Sequence, residues 1–344
     1  MRTIFLAAML ILAGCAVESR TAAVPIAEPA PPLVEETPLS PPHAGGPALE
    51  AADPETAALL KRADFAEAMQ KVEERQLVFD GSSEHVALDG NFTQGGLVFG
   101  QTLPGAKVRL DGEDVMVDEA GRFVIGFARD AALSALIAVT LPDGTIERVS
   151  LKIEDRDFPV QRIDGLDQSK VSGFTEEELE KIAADAEKKK AARQTTQAAA
   201  GWAGGFDWPA RGPITGVFGS QRILNGEPKT PHSGLDVAAP AGTPVHAPAG
   251  GVVRLAEPDM YFEGGLILLD HGQWLESAFL HLSRLDAAPG QQVKKGELIG
   301  AVGGTGRATG PHLHWSVKWM GRLVDPELLV PPQAESADQA ASGE

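Results

Sequence analysis

Between Phe206 and Val330 the chain offers no long amphipathic helix, only short strand-like runs separated by Gly and Pro. The runs are 214–218, 251–255, 266–269, 277–280 and 314–318. Runs this short, punctuated this way, predict a β-fold whose working residues sit in loops and at strand ends. A second stretch, Leu77 to Glu154, has period two. Val108/Leu110, Val115/Val117, Phe123/Ile125/Phe127 and Val149/Leu151/Ile153 alternate with polar or small residues. Asp111-Gly112, Ala120-Gly121 and Asp143-Gly144 supply the turns, so this stretch predicts a small β-sandwich. It shows no clustered titratable groups and suits a spacer or binding module better than an enzyme.

At 344 residues the chain accommodates two domains with linkers. Its net charge of −18 lies mostly before residue 201. With no basic cluster, nucleic acid is excluded as a partner, because phosphate binding needs cations. The single cysteine, Cys15, excludes an internal disulfide. Arg2 and the apolar run Ile4–Leu12 read as an export signal, since the run is too short to span a bilayer. Leu12-Ala13-Gly14-Cys15 resembles a bacterial lipobox, which implies cleavage after residue 14 and lipidation of Cys15. The expected location is therefore the periplasmic side of a membrane. Ala16, in place of an Asp retention signal, points to the outer one.

The remaining organisation follows from composition. Residues 16–54 are rich in Pro, Ala and Glu and are expected to be a disordered tether. In polyproline form it would reach on the order of 100 Å. Residues 55–76 carry helical spacing at Leu59, Ala63, Ala66 and Met69. Residues 77–155 form the β-domain, and Gly100–Phe127 within it resembles bacterial immunoglobulin-like modules. Residues 156–205 are expected to be a linker built on a charged helix, Thr175–Ala192, with a capping box from Thr175 and Glu178. Its acidic start and basic end suit the helix dipole. Its charged surface predicts a solvated linker, the alternative being a regulatory contact with the second domain. Residues 206–330 are that domain, and 331–344 a disordered tail.

Six of the eight histidines fall in the last third of the chain. His232 and Asp236 stand four apart, and His312 and His314 two apart. On a strand the latter spacing puts both rings on one face, with Leu313 toward the core. Both rings could line one pocket without both being ligands. His281 follows the apolar run ending at Leu280 and could join from a neighbouring strand. Two imidazoles and a carboxylate can hold one divalent ion and leave a position open, as a catalytic zinc site does. Each motif is common by chance; their occurrence in one Gly-rich domain is the signal.

Residues 231–245, 280–283 and 303–314 resemble the M23 (lysostaphin/LytM-type) zinc peptidases. So do Asp270-His271-Gly272, Val293–Gly296 and Asp325-Pro326, so the resemblance runs from about Trp208 to Val330. It implies an antiparallel β-fold with a groove across its sheet, one Zn²⁺, metal ligands His232, Asp236 and His314, and catalytic histidines His281 and His312. The retained charge of such an ion would acidify a bound water. Phe279 stands where relatives often have Tyr. His246 and His271 read as structural or exposed, Trp315 and Trp319 as core, and Arg222 and Asn225 as loop residues.

The chain is thus expected to be mainly β: the M23/LytM-type domain, a preceding β-sandwich-like domain, and helical linkers. Its expected activity is zinc-dependent hydrolysis of peptidoglycan crosslinks. Its partners would be peptide stems, the membrane through its anchor, and divisome or wall-regulator proteins. Two rivals stand beside this: an M23-like regulator that activates a separate amidase, and a lipoprotein that only adheres to the wall.

Overall fold

The computed structural model describes residues 79–80, 83–163 and 174–333. The expected signal segment with Cys15, the tether, the 55–76 helix and residues 334–344 lie outside the described residues.

The first β-region holds a five-stranded antiparallel sheet, in the order Phe79–Asp80, Ile146–Lys152, Ser134–Thr140, Lys107–Leu110, Glu113–Val115. A three-stranded sheet accompanies it: Ala87–Gly90, Leu97–Gln101, Arg122–Gly126. The period-two pattern orients these strands. In Ser134–Thr140 the side chains of Ala135, Ile137 and Val139 are buried, whereas Leu136 between them is exposed. One titratable cluster does form here, contrary to expectation: Glu147 takes hydrogen bonds from Ser83 and His85. Glu147 lies more than 60 residues from both partners, so no local spacing announces the cluster.

The second region is built on one antiparallel sheet. Its strands are β1 (Ile214–Gly216), β2 (Leu235–Ala238), β3 (Gly251–Met260), β4 (Gly264–Gly272), β5 (Leu275–Leu282), β6 (Gln292–Val293), β7 (His312–Trp319) and β8 (Arg322–Val324). The order is β1-β2-β7-β5-β4-β3-β6, with β8 also paired to β7. The mainly β, antiparallel architecture is the one expected. On β7, Leu313, Trp315, Val317 and Trp319 fill the core, as their spacing predicts. Phe279 is fully buried among them, so Phe in place of Tyr changes core packing. Every residue of β4 is buried. His271 on that strand is structural: Nδ1–H donates to the Gly250 carbonyl, so Nε2 accepts from Ser277 Oγ, which itself accepts from Trp315 Nε1.

The charged helix α1, Glu176–Ala192, forms with the capping box complete. It is not a solvated linker. Lys181 pairs with Asp259, Lys188 with Glu257, Lys189 with Glu263, and Arg193 just past its end with Glu276. Buried Asp185 accepts the Tyr261 backbone N–H at 2.7 Å. The helix docks on the sheet through ions, so it needs no apolar stripe, and the stripe is what a linker reading finds missing. Each exposed pair is worth about 0–1 kcal/mol, so the docking rests on the network and on Asp185.

The two β-regions share a continuous core. Phe99 stacks on Trp202 at 4.9 Å, the Asp325 N–H donates to Gly95 O at 2.7 Å, and Arg156 pairs with Asp325 at 2.9 Å. Pro331 and Gln333, expected to belong to the tail, are instead bonded to the second domain. The Pro331 carbonyl accepts from Trp208 Nε1 at 2.7 Å, and Gln333 bonds both backbone groups of Gly212.

Burial lowers the His271 pKa from 6.5 to about 4. The unfolded chain therefore binds a proton at His271 in a range where the folded one does not. Its contribution is complete above about pH 6.5 and is lost as pH falls toward 4. Stability should fall across this window by up to about 1.4 kcal/mol per pH unit from this group, and the melting temperature with it. In His271→Asn the same window should be flatter; an equal slope in both proteins contradicts the assignment.

Candidate metal centre

Antiparallel pairing of β2 with β7 puts Asp236 directly opposite His314 and Ala238 opposite His312. Leu235, Val237, Leu313 and Trp315 point the other way and are fully buried. At about 1.5–3 kcal/mol for each such side chain, a one-residue slip is prohibited. Core packing thus sets the register of the polar row.

His232 reaches the same point from the loop before β2. Its Nε2 lies 3.2 Å from Asp236 Oδ1 and 3.2 Å from His314 Nδ1, and His314 Nδ1 lies 2.8 Å from Asp236 Oδ1. These three atoms form a triangle. Tetrahedral bonds of about 2.0–2.1 Å to zinc have donors about 3.3 Å apart, so the triangle fits that ion closely. His232 Nδ1–H donates to the Val217 carbonyl at 3.0 Å, which frees Nε2 as a donor to metal. His314 has its Nε2 against Ser233 Oγ at 3.2 Å, which leaves Nδ1 for the same task. Outer-shell partners of this kind fix ring orientation at metal sites. Among the described residues, these are the three that meet as a group able to hold a metal.

Two glycines make room. A Cβ on Gly216 would stand 2.3 Å from Asp236 Oδ2, and one on Gly234 would stand 2.3 Å from the Trp315 carbonyl. Only a bare backbone passes at either place.

His281 is placed by a bulge. The β4–β5 register shifts between the pairs Gly265–Leu282 and Ile267–Phe279, which leaves one extra residue on β5. His281 there has φ +64°, a conformation that costs a non-Gly residue about 1–3 kcal/mol. Its N–H donates to Glu263 O and its Nδ1–H to Thr305 O, each at 2.8 Å. The ring is turned toward His312, with centroids 4.7 Å apart. His312 Nδ1–H donates to the Gly310 carbonyl at 2.9 Å, and its Nε2 is 3.8 Å from Asp236 Oδ1. Carbonyls only accept, so each ring must carry hydrogen on Nδ1, and in the neutral tautomer the lone pair is on Nε2.

Electrostatics separates the groups. Burial alone would raise the Asp236 pKa, but the adjacent His232 and His314 nitrogens, which donate to it whenever their rings are protonated, hold it well below the usual carboxylate range. Burial lowers His281 and His314, against the pull of Thr305 O on one and of Asp236 on the other. Asp236 is thus a carboxylate, and His281 and His314 are biased toward the neutral form, the protonation states that metal binding requires of a carboxylate and an imidazole.

All five sequence-assigned residues converge, and His246 and His271 stay outside the group. The reading missed the supports: Ser233, Val217, Thr305, Gly310, Gly216 and Gly234. It also missed that Asn225-Gly226 is a hairpin turn, joining Gln221–Leu224 to Glu227–Pro228 with φ of +50° and +82°. The Asn-Gly pair was the available signal. The Arg222 side chain is outside what the structure describes.

The family model for peptidase family M23 matches residues 230–326. A crystal structure assigned to peptidase M23 from Pseudomonas aeruginosa is 31% identical, with TM-score 0.53, over 70% of this chain and 95% of that one. The chain belongs to peptidase family M23. Among its M23 relatives, the DD-carboxypeptidase/endopeptidase Mpg of Neisseria meningitidis is 42% identical over 112 residues, 32% of this chain and 26% of that protein. The peptidoglycan DD-endopeptidase ShyA of Vibrio cholerae is 41% identical over 106 residues, 31% and 24% respectively. The chain spans about a quarter of the length of these curated relatives.

Zinc added to the metal-free chain should raise its melting temperature until one equivalent is bound. His232→Ala and His314→Ala should each abolish that rise, and His246→Ala should not. An undiminished rise in His314→Ala contradicts the three-residue site.

Proposed function

We propose that this protein is an exported zinc endopeptidase that hydrolyses peptide crosslinks of peptidoglycan. One observation carries the reading: a metal-sized donor triangle stands beside two histidines, His281 and His312, whose Nδ1–H groups are tied to carbonyls so that Nε2 is the proton-accepting atom of each. A structural site would close its fourth position with another protein ligand, and His281 and His312 are instead held back by Thr305 and Gly310. The names of the relatives, such as peptidoglycan DD-endopeptidase, supply the substrate class; in the Gram-negative setting that the lipoprotein layout suggests, the bond would be a D-alanyl–diaminopimelate crosslink.

His232, Asp236 and His314 would hold the ion, through Nε2, Oδ1 and Nδ1. When bound, a divalent ion there supplies Lewis acidity to water and to the scissile carbonyl. The rest is done by the chain. His281 or His312 accepts the proton of the attacking water at Nε2. The imidazolium so formed steadies the developing oxyanion and returns its proton to the leaving amine, so the peptide bond is exchanged for an acid and an amine with no net proton change. Hydrogen bonds to the Thr305 and Gly310 carbonyls keep both rings in the basic tautomer and aimed at the cluster. Lipidation at Cys15 would keep the enzyme on the periplasmic face of the outer membrane, within tether reach of the wall.

The purified protein should release smaller muropeptides from sacculi, stop under chelator, and resume with zinc. His281→Ala and His312→Ala should each lower kcat by roughly 10²–10⁴-fold with zinc content unchanged. Muropeptide release that continues in His232→Ala and His314→Ala contradicts the proposal.

A further inference from the structure

The polar row on β7 does not end at the histidines. Residues two apart share a strand face, so Ser316 and Lys318 continue the line of His312 and His314. β5 faces them with Leu280 opposite His314, Ala278 opposite Ser316 and Glu276 opposite Lys318. A cavity of about 190 Å³ lies over this face, running from Ser233 beside the metal centre to Lys318, with Lys189 and Arg193 of the α1 segment as its wall. The docked helix therefore turns an open sheet face into a groove.

The cations of this groove are not equivalent. Lys189 is bonded to Glu263. Arg193 grips Glu276 through Nε at 2.9 Å and Nη2 at 2.6 Å. Lys318 has no hydrogen-bond or ion-pair partner among the described residues, although it is partly buried. Burial and the nearby Arg193 and Lys189 depress its pKa, against the pull of Glu276. The groove thus carries three cations against two carboxylates. The carboxylate with an unpaired oxygen, Glu263, belongs to the His281 end, where its backbone carbonyl accepts from His281. The excess positive charge is at the Lys318 end. An ammonium desolvated beside a carboxylate that is already engaged, as Glu276 is by Arg193, is costly, and an arriving carboxylate recovers that cost through a charge-assisted hydrogen bond.

Strands advance about 3.3 Å per residue, so Lys318 stands about 13 Å from His314 along β7, some four residues of an extended peptide. We propose that Lys318 is a specificity-determining residue that binds a free carboxylate of the peptide substrate at about that distance from the bond cut. The proposal rests on the peptidase reading of the site. The ligand class is a peptide with free side-chain or α-carboxylates, distinguished from the same peptide with carboxamides.

The probe is a synthetic crosslinked stem peptide in two forms, carboxylates free or converted to carboxamides. Binding of each to the full chain is measured by calorimetry under chelator, so that no turnover contributes. The free form should bind about tenfold tighter. That ratio should collapse in Lys318→Met and be largely restored in Lys318→Arg. A purely structural lysine would move the melting temperature and leave the ratio intact. Equal affinity for the two forms, including no binding of either, overturns the proposal, as does an unchanged ratio in Lys318→Met. Cleavage is scored separately with the zinc-loaded chain. Discrimination without cleavage removes the peptidase reading and keeps the carboxylate subsite; cleavage without discrimination does the reverse.

Discussion

The pairing of β2 with β7 is the constraint on which the site depends. It sets Asp236 against His314, 78 residues apart in sequence, with no freedom to slide. The alternation that buries Leu235, Val237, Leu313 and Trp315 must present Asp236, His312 and His314 on the other face. Apolar burial therefore provides the rigidity that a metal-binding triangle needs, since donor positions loose by half an ångström would not act as one site.

Local strain completes what the register starts. His281 sits at positive φ on a bulge, held by Glu263 and Thr305, and without that bulge it would follow the ordinary alternation of its strand. Gly216 and Gly234 perform the complementary task of absence, letting backbone pass where a methyl group would strike Asp236 or Trp315. The charged helix works at longer range, walling the sheet face beside the metal centre and leaving Lys318 as the unmatched charge inside.

The sequence was most legible where chemistry and period coincide. His232, Asp236, His281, His312 and His314 stand in distinctive local contexts, and period-two burial predicts which face of β7 carries His312 and His314. It was least legible where contacts are long-range and polar. Glu147 finding His85, α1 docking through Lys181, Lys188 and Lys189, and Gln333 pinning Gly212 leave no periodic trace. The backbone carbonyls of Val217, Thr305 and Gly310, which set the tautomers, are invisible to any reading of side chains. Asn225-Gly226 is different, because the Asn-Gly pair is itself a local signal for the turn it forms.

Zinc K-edge X-ray absorption on the fully loaded protein tests the arrangement most directly. Two imidazoles in a shell of four light donors at about 2.0–2.1 Å would agree with His232, Asp236 and His314 as ligands and with His281 and His312 held outside. A shell with three or four imidazoles would put the proposed bases on the metal, and the division of labour described above would be wrong.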